Sequence, residues 1–331
     1  MVTGYIGNHI FDLHPKENIK DLFGRDDEYK ELERLVKTEW VVVLDRRMVG
    51  KSSLVKTFIK EHDGIYINLS GIRGFKDFIL SIASQLGYSL KELSLDLKFL
   101  EFKWSRIAED IFSRLENKII ALGEVQYVSS IRFLRLLKRI WDEYPNIRII
   151  FIGSMVGLIN KLLNPSPSSP LYGRKPAVIY LQPFSKKKSR KFLIRGFNEF
   201  NVNISMEEIE NVVERLNGYP GWLAYYGNFR CVRKLDVETS LRYVIDEGVK
   251  IFEEEIENFL KGKKRENYIK ALRIISIGAR WSEIKNELRV NSKVLRDILL
   301  NLKNAMLIAE DDGYYYIPDP ILRIAIRSIR V

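Results

Sequence analysis

Only one cysteine, Cys231, and three histidines, His9, His14 and His62, occur in the chain. A lone cysteine rules out an internal disulfide framework, and the histidines are not spaced as a metal-ligand set. No apolar run approaches the roughly 18 residues of a membrane span. The opening MVTGYIGNHIFDLHPKEN has no basic stretch followed by an apolar core, as a secretory leader would. These absences leave a cytoplasmic globular protein, without membrane attachment and with no metal other than Mg²⁺, as the expectation.

What the chain does have is bulk and positive charge. Of its 331 residues 46% are hydrophobic, and 54 Lys and Arg stand against 43 Asp and Glu, a formal charge of +11. That length can bury a large core and suits two or three domains. The charge favours attraction to nucleic acid or other anionic surfaces, although a net charge alone describes only a solvated surface.

The most specific stretch is VVVLDRRMVGKSSLVK, Val41 to Lys56, where a β-branched run leads into GKSS and an apolar-periodic helix. This is the order of a phosphate-binding P-loop. Backbone N–H groups and the positive helix end surround the phosphates, a lysine neutralises charge, and a hydroxyl meets Mg²⁺. Gly50, Lys51, Ser52 and Ser53 match the end of the motif, with Ser52 as the hydroxyl, and Asp45, Arg46, Arg47, Met48 and Val49 form the preceding loop. The motif asks for glycine where Asp45 stands. A carboxylate there is expected to repel a triphosphate.

Five β-rich segments, Trp40 to Leu44, Gly64 to Leu69, Lys118 to Leu122, Ile147 to Ile152 and Ala177 to Leu181, alternate with helical patterns. Such alternation specifies a parallel sheet covered by helices on both faces, with ligands at the carboxyl ends of the strands. The third strand ends in IIALGEV. P-loop ATPases place an aspartate and a glutamate there, the first for hydrated Mg²⁺ and the second for the attacking water. Glu124 occupies the place of the base, whereas Gly123 replaces the aspartate. If Asp45 were to supply that carboxylate it would act from a different strand, which octahedral Mg²⁺ tolerates poorly. Weak hydrolysis is therefore expected.

From Ser185 to Phe259 the patterns are helical only. Beyond Lys263 three short helices precede MLIAEDDGYYYI, in which Asp312-Gly313 suits a type I′ hairpin turn. Helix, helix, helix and two-stranded wing describe a winged helix. Residues 263–331 hold 14 basic and 8 acidic residues, so this tail carries +6 of the net charge. If it binds DNA, Ser292, Lys293 and Arg296 at the start of its third helix enter the major groove; the equal alternative is a protein partner. The domains read as a nucleotide-binding core over 1–184, a helical lid over 185–262 and a winged helix over 263–331.

DLFGRDDEYKEL, the P-loop, GEVQY, FIGSMVGLI, SPLYGR, LQPFS and GYPGWLAYYG follow one another in an order that resembles the archaeal ATPase family, over nearly the whole chain. That family is a STAND-type branch of P-loop ATPases related to AAA+ and replication-initiator ATPases. The resemblance implies a RecA-like P-loop core with the P-loop strand central, a helical lid, a C-terminal winged helix, and ATP or ADP as ligand. It also implies that Phe23, Gly24 and Arg25 contact base or ribose and that Ser154 is a polar sensor of the γ-phosphate. Arg174 would approach the phosphates in cis or from a neighbouring subunit, Gln126 would orient water or the γ-phosphate, and Pro220 would lie by the base. Read without the family, Arg25 precedes a helix start near Asp26, Ser154 caps the next helix, and Pro220 initiates one. The function expected is an ATP/ADP-binding switch with impaired hydrolysis. The alternative is a pseudo-ATPase scaffold whose basic winged helix binds DNA or a protein partner.

Overall fold

The computed structural model describes residues 9–70, 72, 75–87, 110–125, 130–153 and 158–329. These form two compact units.

The first comprises Lys16–Asp45 and Lys51–Leu181 and is built on a five-stranded parallel sheet. Its strands are β1 (Val41–Leu44), β2 (Ile65–Asn68), β3 (Ile119–Gly123), β4 (Arg148–Gly153) and β5 (Ala177–Tyr180), in the order β2-β3-β4-β1-β5. The P-loop strand β1 thus has a neighbour on each side, and all four of its residues are fully buried, which is why it reads as an unbroken aliphatic run. The sequence ends the third and fourth strands at Leu122 and Ile152, because glycine weakens a strand. In the structure both continue by one residue, since Gly123 pairs with Asn68 of β2 and Gly153 with Leu44 of β1.

Helices α1 (Asp26–Val36), α2 (Lys51–Glu61), α3 (Phe75–Gln85), α4 (Ile131–Glu143) and α5 (Leu158–Leu163) cover this sheet. Helix α2 buries Leu54, Val55, Phe58 and Ile59 at three- and four-residue spacing. Helix α4 starts at Ser130, whose hydroxyl accepts the Phe133 N–H. Of the helix expected over Trp104 to Glu116, residues 110–114 are helical, and the part before residue 110 lies outside the described residues. Residues 154–157 also lie outside them, so the helix expected from Met155 is described from Leu158.

The second unit comprises Gln182–Val331, Arg46–Gly50 and the N-terminal segment up to Pro15. Its first part holds α6 (Lys186–Glu199), α7 (Met206–Leu216), α8 (Pro220–Gly227) and the long α9 (Val237–Leu260). Ser185, Ser205 and Asp236 cap α6, α7 and α9 through their side chains. Phe11 of the N-terminal segment is buried among Phe192, Phe197 and Phe200, and the Ile10 N–H donates to Glu199 Oε2 at 2.8 Å. Burial also pushes the Cys231 thiol up to about 12, so the single cysteine is an inert thiol.

The C-terminal part contains α10 (Arg265–Ser276), β6 (Ala279–Arg280), α11 (Trp281–Leu288), α12 (Ser292–Asn304), β7 (Ala309–Asp311), β8 (Tyr314–Tyr316) and α13 (Pro320–Ser328). The three short strands form an antiparallel sheet in the order β6-β8-β7. Asp312 and Gly313, at φ 46° and 73°, supply the two left-handed residues a type I′ turn requires.

Helix α13 is absent from the sequence reading, yet its signal is present. Asp319 precedes Pro320 at the first helical position, and Ile321, Leu322, Ala325 and Ile326 form the buried stripe. The Asp319 carboxylate is 1% exposed and accepts the Ile321 and Leu322 N–H groups and the Trp222 indole N–H at 3.0 Å. Burial pushes its carboxyl up to about 6, against the opposing effect of those donors and of Arg46. An acid whose folded-state pKa is raised contributes most stability below its unfolded pKa and loses it as pH rises through the folded value. This unit should therefore lose stability between about pH 4 and pH 7. Asp319→Asn should remove that slope, at the expense of the Trp222 hydrogen bond, because an amide nitrogen cannot accept it. Thermal unfolding of both proteins across this pH range measures the two slopes; equal slopes would rule out Asp319 as their source.

Candidate nucleotide site

The sheet unit holds the two ends of the P-loop. Strand β1 stops at Leu44, and Asp45 follows at φ 150°, a value that L side chains rarely adopt and glycine adopts readily. The backbone thus keeps a conformation suited to the glycine of the motif even though an aspartate is present. Lys51 opens α2, and its Nζ donates to the Asp45 carbonyl at 2.5 Å, tying the two ends together.

The Asp45 side chain is 5% exposed, and the guanidinium of Arg25, 4% exposed, lies close enough to interact with it electrostatically. Arg25 also donates to Glu28 Oε1 at 2.6 Å. Burial lowers the Arg25 pKa, while Glu28 and Asp45 act to keep it charged. The segment Phe23-Gly24-Arg25 makes this possible through Gly24 at φ 67°, which turns the chain into α1 with Arg25 at the N-cap position. The Arg25 charge therefore acts on Asp45 as well as on Glu28.

The middle of the loop, Arg46–Gly50, groups with the helical unit. Met48 lies at φ 62° and Gly50 at φ 92°. The Gly221 N–H, one residue into α8 from Pro220, donates to the Met48 carbonyl at 2.8 Å. A Cβ on Gly221 would lie 2.6 Å from Met48 Sδ, so glycine permits this approach. Arg47 pairs through Nε with Glu255 of α9, Arg46 acts electrostatically on buried Asp319, and Val49 is fully buried.

At the start of α2, Ser53 Oγ accepts the Lys16 N–H at 3.1 Å, and the Ser52 hydroxyl lies close enough to Tyr66 of β2 to act on its phenol. Gly123 ends β3, and Glu124 follows in the left-handed region at φ 56°. Glu124 is near enough to Tyr66 for its charge to act on that phenol. Tyr66 is a site residue that sequence reading misses, because an aromatic in a strand is ordinary and only the reach of its hydroxyl over Gly123 distinguishes it. The residues present do not reproduce a carboxylate-assisted Mg²⁺ set. Position 123 has no side chain, and among the described residues no group of three or more His, Cys, Asp or Glu could hold a metal.

Residues 22–226 match a family described as an ATPase domain predominantly from Archaea. The chain belongs to this family. A solved Walker-type ATPase of Pyrococcus abyssi is 32% identical, with 96% of this chain and 99% of that chain covered at a TM-score of 0.81. The ORC2 protein of Aeropyrum pernix, solved as ADPNP–ADP complexes, shares the fold at 12% identity, a TM-score of 0.67 and 96% coverage of both chains. An uncharacterized protein of Methanocaldococcus jannaschii is 24% identical over 92% of this chain and 68% of its own length. The RecA-like P-loop fold and nucleotide binding are thereby shared with the archaeal ATPases. Among the described residues no helix is long and apolar enough to cross a membrane.

In this member of the family the remaining candidate residues are distributed unevenly. Arg174 is held by Asp142 of α4, Nε to Oδ1 at 2.9 Å and Nη2 to Oδ2 at 3.1 Å. Any approach of Arg174 to phosphate has to break this bidentate pair. Gln126 and Ser154 lie outside the described residues. Ser292, Lys293 and Arg296 are exposed on the first turns of α12, which Asn291 caps.

Proposed function

We propose that the protein is an ATP/ADP switch in which the occupancy of the P-loop sets the arrangement of the helices that hold its middle. The observation that supports this reading is the attachment of Met48 to Gly221 of α8 and of Arg47 to Glu255 of α9. A ligand shifts a conformational equilibrium only through its differential affinity for the two states. Here nucleotide phosphates would compete for the loop N–H groups and for Lys51, which in this structure is engaged with the Asp45 carbonyl. In this reading the C-terminal helices and hairpin are a winged helix, with Ser292, Lys293 and Arg296 on the output surface toward DNA or a protein partner.

Hydrolysis in this proposal is slow. Glu124 polarises the attacking water, and Arg174 adds charge stabilisation only after leaving Asp142. Calorimetric titration of ATP and of ADP into nucleotide-free protein tests the binding step. Micromolar or tighter affinity is expected, about 8 kcal/mol or more. Glu124→Gln should abolish residual turnover with affinity retained; undiminished turnover would exclude Glu124 as the base.

A further inference from the structure

The space that an aspartate at position 123 would need is already filled. A Cβ built on Gly123 would lie 2.3 Å from Tyr66 Oη and 2.9 Å from its Cζ. The register explains the approach. Gly123 pairs with Asn68, and Tyr66 lies two residues earlier on the same face of β2, so a long side chain there reaches one pair along the sheet. Three further groups surround the phenol. The Ser52 hydroxyl lies near enough to interact with it, Glu124 acts on it electrostatically, and Lys56 Nζ sits 5.3 Å from the ring centroid.

We propose that Tyr66 is the positioning residue for the Ser52 hydroxyl, in place of the carboxylate at position 123, so that this protein holds nucleotide with little dependence on a divalent cation. A tyrosine hydroxyl ordinarily ionises only at about pH 10, so the phenol is neutral at physiological pH. A neutral phenol orients a hydroxyl by hydrogen bonding but, unlike an aspartate, adds no negative charge to attract Mg²⁺ and its water. Of the two hydroxyl protons of Ser52 and Tyr66, one lies between the pair and the other is left to serve a phosphate oxygen, with Lys51 supplying the cationic charge.

This inference rests on nucleotide binding at the P-loop. Calorimetric titration of ADP and ATP, each in Mg²⁺ and in EDTA, tests it on wild type, Tyr66→Phe and the double variant Tyr66→Ala/Gly123→Asp. The double variant is used because Gly123→Asp alone collides with Tyr66. Wild-type affinity should differ by less than about threefold between the two conditions, and Tyr66→Phe should weaken binding about tenfold in both, the loss of one hydrogen bond toward a charged group. The double variant should acquire a Mg²⁺ dependence of about tenfold or more. A wild type that binds in Mg²⁺ and weakens tenfold or more in EDTA overturns the inference while leaving the nucleotide reading intact, as does Tyr66→Phe binding like wild type. No wild-type binding in either condition overturns both.

Discussion

Lys51→Ala should abolish nucleotide binding, lowering affinity by at least about 100-fold for ATP and ADP alike. The loop brings few other compensating charges to the phosphates within the sheet unit, because Arg25 is committed to Glu28 and Asp45. Lys51 is half-buried at the first position of α2, and its Nζ donates to a backbone carbonyl. Removing the ammonium leaves the Asp45 carbonyl without that donor, a modest loss of about 1 kcal/mol for the folded chain. The effect on binding should therefore far exceed the effect on stability. Calorimetry together with thermal unfolding separates the two. Retained affinity in a folded variant would show that the nucleotide does not sit on this loop.

The two departures from the usual P-loop pattern, Asp45 and Gly123, are legible in the sequence while what compensates them is not. Both positions can be read as exceptions, because the motif specifies glycine at one and the strand-end carboxylate at the other. Their compensations are not legible, since each comes from a distant part of the chain. Arg25 lies before α1 and Tyr66 on β2, and only the folded sheet brings them beside Asp45 and Gly123. The strands and most helices were legible because burial on both faces of a parallel sheet leaves continuous aliphatic runs. The hairpin at Asp312-Gly313 was legible because its turn needs two left-handed residues. Helix α13 escaped notice because Pro318 and Pro320 bracket Asp319 and read as loop, although Pro320 stands at a first helical position. The packing of Phe11 among α6 residues was equally hidden, since no short-range pattern ties this segment to a helix whose Glu199 lies 189 positions from Ile10.

The Arg25–Asp45 arrangement leads to the largest stability effect expected in the sheet unit. Arg25→Ala should destabilise it by about 3 kcal/mol, because it removes a buried positive charge that acts on both Glu28 and the buried Asp45 carboxylate. Asp45→Gly should be far milder. It restores the residue type suited to φ 150°, and the Arg25 guanidinium still has Glu28. The double variant Arg25→Ala/Asp45→Gly should recover most of the loss, since the stranded charge is gone, giving a strong non-additive coupling. Arg25→Lys should recover little, because an ammonium lacks the planar fork that can face two acids at once. Urea unfolding followed through Trp40 and Trp141, which pack edge to face at 4.8 Å in this unit, measures all four proteins. If Arg25→Ala cost less than about 1 kcal/mol, or if the two substitutions added, the pair would be solvated and Asp45 would face the phosphates with its charge uncompensated. In that case Asp45→Gly, and no change at Arg25, would be the substitution that strengthens nucleotide binding.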